Sequence, residues 1–209
     1  MFVQLLSSSD SSWIVPFGNQ LQQQLIAIGH QCNYVFSEKE IIEGDVLVFL
    51  CYEKIFKSLE LNKHNLVIHE SALPLGRGMS PLSWQILEGK NTIPVTLLEA
   101  SEGVDEGDIY EQVLIDYNGT ELNPELKHKQ GLATIELVLN FVKKYPNNIA
   151  TKQIGLPTYY KRRTAIDSEL DIKKSIEEQF NLLRICDNDR YPAFFFINNK
   201  KYILKITEA

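Results

Sequence analysis

The chain has 209 residues, 44% of them hydrophobic, which is enough to bury one sizeable core plus a small appendage. Its formal net charge of -6 weighs against a nucleic-acid partner, because binding to a phosphate backbone is driven by clustered Lys and Arg. Three cysteines without a C-x-x-C spacing suggest neither a disulfide framework nor a zinc site, and no segment approaches the ~20 apolar residues of a membrane span, so a cytoplasmic, metal-free protein is expected.

In chain order, residues 2–6 read as a short buried strand. Residues 13–28 carry apolar positions at helical spacing, Trp13, Ile14, Phe17, Leu21, Leu25, Ile26 and Ile28, before Gly29 stops the helix. Residues 32–36 and 45–50 are further strands with an acidic link between them that can be helical, and residues 65–69 form the next strand. A helix over 81–87 is ended by Gly89, and 93–98 is another strand. Residues 107–116 lead into Asn118-Gly119, a strong turn signal, and 121–145 make a long amphipathic helix that Pro146 breaks. A boundary near residue 150 separates a body, residues 1–150, from a C-terminal module, residues 151–209. That module holds an extended linker with Gly155 and Pro157, a helix over 172–184, and a hairpin of 193–197 and 202–206 turned by 198–200. Short apolar strands alternating with helices imply an α/β fold with a mostly parallel sheet.

His69 closes the apolar run Leu66, Val67, Ile68 and is followed by Pro74 and an Arg77-Gly78 pair. A buried strand therefore gives way there to a glycine-bearing loop, which is where α/β enzymes put their chemistry. Asp105 follows the apolar run 93–98 and can converge on His69 from a neighbouring strand end; a histidine beside a carboxylate is a general acid/base pair. The serine loop 7–12, with Ser9 at its centre, opens the first helix and reads either as plain N-capping or as a phosphate or sugar site. His30, His64 and His128 are expected to face solvent, with no metal-ligand spacing among them, and core packing is the expectation for Trp84.

The block His69, Ser71, Leu73, Pro74, Arg77, Gly78, Pro81, followed by a strand and the Asp105-x-Gly107 segment, resembles the folate-dependent formyltransferase family. That family contains glycinamide ribonucleotide transformylase, methionyl-tRNA formyltransferase and the N-formyltransferases of nucleotide-linked amino sugars. The tail stretch PTYYKRRTAIDSELD is similar to the tails of the sugar and tRNA enzymes, and HESALPLGRGMSPLSWQILEGKN is most similar to the small N-formyltransferases of the pseudaminic acid type. The resemblance implies a Rossmann-like formyltransferase fold with a small C-terminal helix and β-hairpin module, and N10-formyltetrahydrofolate as cosubstrate.

Under that resemblance His69 is the proton acceptor and Asp105 the carboxylate that orients it. The family's asparagine, two residues before the histidine, falls on Val67, which cannot donate a hydrogen bond. Asn65 lies four residues back, roughly 13 Å along a strand, too far to substitute. Ser71, a backbone N–H or a protonated His69 then holds the oxyanion. Tyr52, Lys54, Phe56, Val104 and Asp105 are expected at the pterin, and Ser9, Arg77, Gly78, Tyr159 and Arg163 at the acceptor, although the tail residues also fit a charged edge that anchors the tail. The expected acceptor is a nucleotide-linked amino sugar, with the alternating aromatic and apolar residues of the hairpin suggesting a homodimer. The alternatives are a formyltetrahydrofolate hydrolase or a non-catalytic folate-binding protein. Methionyl-tRNA is a weaker acceptor reading, since that class carries a larger basic C-terminal domain. Glycinamide ribonucleotide is weaker because the first loop lacks a glycine-rich phosphate cradle.

Overall fold

The computed structural model describes residues 1–209. Six strands form one sheet: β1 (Phe2–Leu6), β2 (Gln31–Val35), β3 (Gly44–Phe49), β4 (Asn62–His69), then, after a two-residue β5 (Arg77–Gly78), β6 (Thr92–Glu99) and β7 (Ile109–Asp116). Their spatial order is β2-β1-β3-β4-β6-β7. The near-continuous apolar runs of β1 and β3 sit in the middle, as strands covered on both faces must. β1 to β4 pair in parallel, β6 runs antiparallel to β4, and β7 antiparallel to β6, so five of the six strands share one direction.

The two faces are covered differently. Helices α1 (Val15–Ala27) and α3 (Asn123–Lys144), with the short α2 (Pro81–Leu87) between them in sequence, close one face over a core of Val3, Leu5, Val46, Val48, Leu66, Val95 and Leu97. No helix follows β2 or β3 on the other face. The acidic link is a single turn, Glu38–Glu40, and β3 connects to β4 through an irregular loop and the turn Leu59–Leu61. A small cluster, Leu6, Ile41, Leu47 and Phe49, is covered there by loop side chains, Tyr52 and Phe56 among them, together with Val35 of β2 and Val67 of β4. That thin cover leaves a cavity at the strand ends.

Beyond α3 the chain stays tied to the body. Thr151 bridges Ile109 of β7, and β8 (Tyr159–Tyr160) pairs in parallel with β5. The helix expected over 172–184 is shorter: α4 spans Phe180–Ile185, because the Gln179 side chain donates to the carbonyls of Asp171, Lys174 and Ser175 and folds the preceding stretch into a loop. The hairpin is β9 (Ala193–Ile197) with β10 (Lys200–Leu204), joined by Asn198 and Asn199 alone, both at positive φ (47° and 62°). Two such residues form the tight turn that matches strand twist, which is why β10 starts two residues earlier than expected. His64 is half-buried rather than solvent-facing. Its Nδ1 lies 3.0 Å from the Tyr110 hydroxyl and 3.3 Å from Glu99, with Phe141 edge-on at 5.3 Å. No helix is long and apolar enough to cross a membrane.

Arg184 of α4 is 1% exposed and joins tail to body, donating to the Glu121 carbonyl (3.1 Å), the Glu121 carboxylate (3.4 Å) and the Asn91 side chain (3.2 Å). Replacing it strands buried acceptors, so Arg184→Ala should destabilise the chain by about 3–5 kcal/mol in urea unfolding. A loss under about 1 kcal/mol would show that the tail docks without this anchor.

Candidate active site

β4 ends at His69 because the chain turns there: the Ser71 N–H donates back to the His69 carbonyl at 2.9 Å, and a loop through Gly76 and Gly78, both at positive φ (72° and 101°), follows. Within it the Gly76 carbonyl lies 2.8 Å from His69 Nε2. A carbonyl only accepts, so Nε2 carries a proton and proton traffic falls to Nδ1. Nδ1 is 3.5 Å from Asp105 Oδ1, with both side chains nearly buried (6% and 8% exposed). Acceptors at both ring nitrogens accommodate an imidazolium.

Asp105 is held from three sides. It adopts a left-handed conformation (φ 57°), and its Oδ2 accepts the Gly78 N–H at 2.8 Å. The Arg77 guanidinium reaches Glu106 (2.7 Å) and the Gln153 side-chain oxygen (2.8 Å), while the Gln153 amide donates to the Asp105 and Gly107 carbonyls, each at 2.8 Å. The Arg-Gly pair thus fixes the aspartate loop.

His69 stands at the seam of a two-lobed cleft. The smaller lobe, about 280 Å³, is lined by Phe49, Phe56, Leu59, Val67 and Leu98 and by residues 100–105. The larger, about 490 Å³, is lined by the serine loop, Trp13, Glu70, Met79, Lys127, Gln130 and Arg190. His69, Gly78, Met79 and Cys51 border both.

The comparisons with known proteins accord with this frame. Residues 32–136 match the family model described as formyl transferase. A methionyl-tRNA formyltransferase of Thermodesulfovibrio yellowstonii is 29% identical over 185 residues, covering 85% of this chain and 58% of that protein; the chain spans about half the length of the curated relatives it matches. Among solved structures, a methionyl-tRNA formyltransferase from Clostridium thermocellum superposes with a TM-score of 0.85 at 19% identity, over 100% of this chain and 93% of that one. A 4-N formyltransferase from Francisella tularensis gives 0.76 at 17% identity, over 98% and 96%. At these identities the structural likeness shows the fold: the Rossmann-like formyltransferase fold expected above.

Of the residues singled out in the sequence, Tyr52, Lys54, Phe56, Val104 and Asp105 all line the smaller lobe, Tyr52 also borders the larger, and Ser9 lines the larger. Four others lie elsewhere. Ser71 is 2% exposed and faces neither lobe, since the turn after His69 tucks it inward, where Thr96 donates to its carbonyl. Arg77 is turned away from the cleft by Glu106 and Gln153. Tyr159 is 64% exposed outside both lobes, and Arg163 folds back on the Asp167 carbonyl at 2.9 Å. Trp84 is half-buried, stacked on Tyr160 with its indole N–H on the Lys161 carbonyl (2.7 Å). Glu70, Gln130 and Arg190 were missed. Only Glu70 had a signal, its place immediately after His69 at the end of a strand whose side chains alternate in direction.

A Cβ at Gly78 would meet the Tyr160 carbonyl at a φ of 101° that side chains avoid. Gly78→Ala should therefore cost about 1–3 kcal/mol and speed amide exchange at Tyr160 and Met79; unchanged exchange at both would disprove the clamp.

Proposed function

The chain belongs to the formyl transferase family, and from that premise we propose that it is an N-formyltransferase moving a formyl group from N10-formyltetrahydrofolate to the amine of a nucleotide-linked amino-deoxy sugar, such as a UDP-4-amino sugar of the pseudaminic acid type. The observation that carries this is the position of His69 at the seam of two lobes, within reach of a donor on one side and an acceptor on the other. In this reading residues 1–150 are the catalytic body, and residues 151–209 are a module that walls the acceptor lobe with Ile185 and Arg190. The exposed hairpin residues Phe196, Ile197, Tyr202 and Ile203 are the surface for a homodimer contact.

The smaller lobe fits a pterin. Phe49, Phe56, Leu59 and Leu98 offer apolar walls to a flat ring, Tyr52 borders the cavity, and residues 100–105, with Ser101, Glu102 and Asp105 among them, line its edge. Bound there, the folate supplies the formyl carbon. His69 Nδ1 takes a proton from the attacking amine and returns it to the departing nitrogen, while Asp105 stabilises the charged ring. Negative charge developing on the formyl oxygen is met by the imidazolium, since Ser71 lies outside both lobes.

Methionyl-tRNA is the second reading, supported by the 29% identical relative. The charge of the acceptor lobe favours the sugar. Lys127 is paired with Asp187 (2.7 Å), Arg190 is held on the Ser11 carbonyl (2.6 Å), and Glu53 and Glu70 line the same space, leaving no cluster of free cations for a nucleic-acid backbone. Incubation with N10-formyltetrahydrofolate and a panel of UDP- and dTDP-amino sugars tests the proposal. N-formyl sugar supports transfer, free formate alone means a hydrolase, and neither product means a binding protein.

His69→Ala and Asp105→Ala should each lower turnover by at least ~100-fold with the fold intact. Retention of near wild-type turnover by either would remove that residue from the mechanism. Val67, two residues before His69, faces the donor lobe and packs on the Leu6, Ile41, Leu47, Phe49 cluster. Val67→Asn places an amide among apolar side chains at a cost of ~1–3 kcal/mol and should leave turnover equal or lower. A tenfold gain, about 1.4 kcal/mol of barrier, would instead mean that the site lacks an oxyanion donor.

A further inference from the structure

The acceptor lobe has on its floor a carboxylate that the path through His69 and Asp105 does not use. Glu70 follows His69 at the end of β4, and the two side chains leave toward different sides: Glu70 lines only the larger lobe, whereas His69 reaches Asp105 on the side of the smaller one. Its placement is fixed. Oε1 accepts from Gln130 of α3, and the Glu70 carbonyl accepts from the Gln85 side chain at 2.5 Å. Oε2 receives no hydrogen bond from any other residue.

No lysine or arginine pairs with Glu70, because Lys127 is held by Asp187 at 2.7 Å and Arg190 by the Ser11 carbonyl at 2.6 Å. Cys51 and Tyr117, which also approach it, carry no positive charge. Burial pushes the carboxyl above the ordinary glutamate range, opposed by His69 and by the Gln130 hydrogen bond, while Asp105 adds to the rise. A carboxylate in a cleft with one bare oxygen and no counter-ion is costly until a cation or donor completes it.

We propose that Glu70 docks the amine of the acceptor, receives it as the ammonium ion and takes its first proton. This rests on the formyl-transfer reading and names the feature of the acceptor that the larger lobe selects. An amine is protonated at neutral pH and cannot attack until it loses that proton. On Glu70 one N–H bond of the ammonium breaks, an O–H bond forms at Oε2, and the nitrogen keeps the electron pair with which it attacks the formyl carbon. Glu70 passes its proton to water in the open lobe. The second amine proton goes to His69 Nδ1, so the last residue of β4 and the residue that follows it take one proton each.

The test is calorimetric titration, without folate, of wild type, Glu70→Gln and Glu70→Asp with UDP- and dTDP-linked 4-amino-4,6-dideoxyhexoses and with their 4-hydroxy counterparts. Wild type should prefer the amine by about 10- to 100-fold, the scale of a charge-assisted contact. Glu70→Gln should bring the amino sugar down to the affinity of the hydroxy sugar, and Glu70→Asp should keep part of the preference. Equal binding of both sugars by wild type, no binding of either, or a preference that survives in Glu70→Gln overturns the proposal. A preference lost in Glu70→Gln, together with no N-formyl sugar from folate-loaded wild type, leaves Glu70 as the amine-docking residue and sinks the formyl-transfer reading instead.

Discussion

Two hydrogen bonds made by the backbone of one loop organise the site. The Gly78 N–H holds the Asp105 carboxylate at 2.8 Å, and two residues earlier the Gly76 carbonyl holds His69 Nε2 at the same distance. A single loop therefore sets both the tautomer of the histidine and the direction of the aspartate. That loop is itself kept in place by pairing of β5 with β8, so the tail enters the geometry of a site to which it gives few side chains. Both glycines sit where a side chain would strain the backbone or strike Tyr160.

The unequal covering of the sheet explains why there are two lobes and why they differ. Helices bury one face fully, and at its strand ends the helix α3, the serine loop and the tail leave a polar lobe. On the other face the missing crossover helix after β3 leaves a loop, residues 50–58, to cover Phe49 and Leu47, and the space beneath it has apolar walls in Phe49, Phe56, Leu59, Val67 and Leu98. On the proposed function, the smaller lobe would take the flat ring of the donor and the larger one the hydroxyl-rich acceptor.

Much of this was legible in the chain because it rests on local pattern. The apolar runs of β1, β3, β4 and β6 and the glycines after His69 mark His69 as a strand end and put Asp105 in the loop after a neighbouring strand. Because β6 runs antiparallel to β4, Glu99 lies beside Leu66 and the loop brings Asp105 back to His69, where it lines one lobe with the other residues expected at the pterin. Arg77 could not be read this way. Its partners Glu106 and Gln153 are 29 and 76 residues away, and only the folded chain shows that the guanidinium is turned from the cleft. Ser71 failed for a local reason: it lies two residues past His69, where continued strand geometry would put it on the same face, but the chain reverses on the His69 carbonyl first. The stretch 172–179 has helical spacing in Ile172 and Ile176, yet these are 60% and 57% exposed, and the Gln179 side chain captures the carbonyls that a helix would have used.

The valine at position 67 becomes intelligible in this setting. Along β4, Val67 and His69 share the donor face, while Ile68 belongs to the main core and Glu70 reaches the acceptor lobe. A polar group at 67 would have to be solvated or paired inside the apolar lobe, next to Phe49 and Leu98, whereas a valine seals it. The smaller lobe combines the apolar side chains Phe49, Phe56, Leu59, Val67 and Leu98 with charged residues, Lys54, Glu99 and Glu102 among them, while His69 and Asp105 meet at the seam at 3.5 Å and Glu70 lines only the larger lobe. Charge in a partly dry site acts more strongly than in water, so under the proposed mechanism the imidazolium formed when His69 takes the amine proton would do the work of a neutral amide. At the end of β4, Val67 and His69 therefore face the smaller lobe while Glu70 lines the larger one, which on the proposed function would set donor and acceptor on opposite sides of His69.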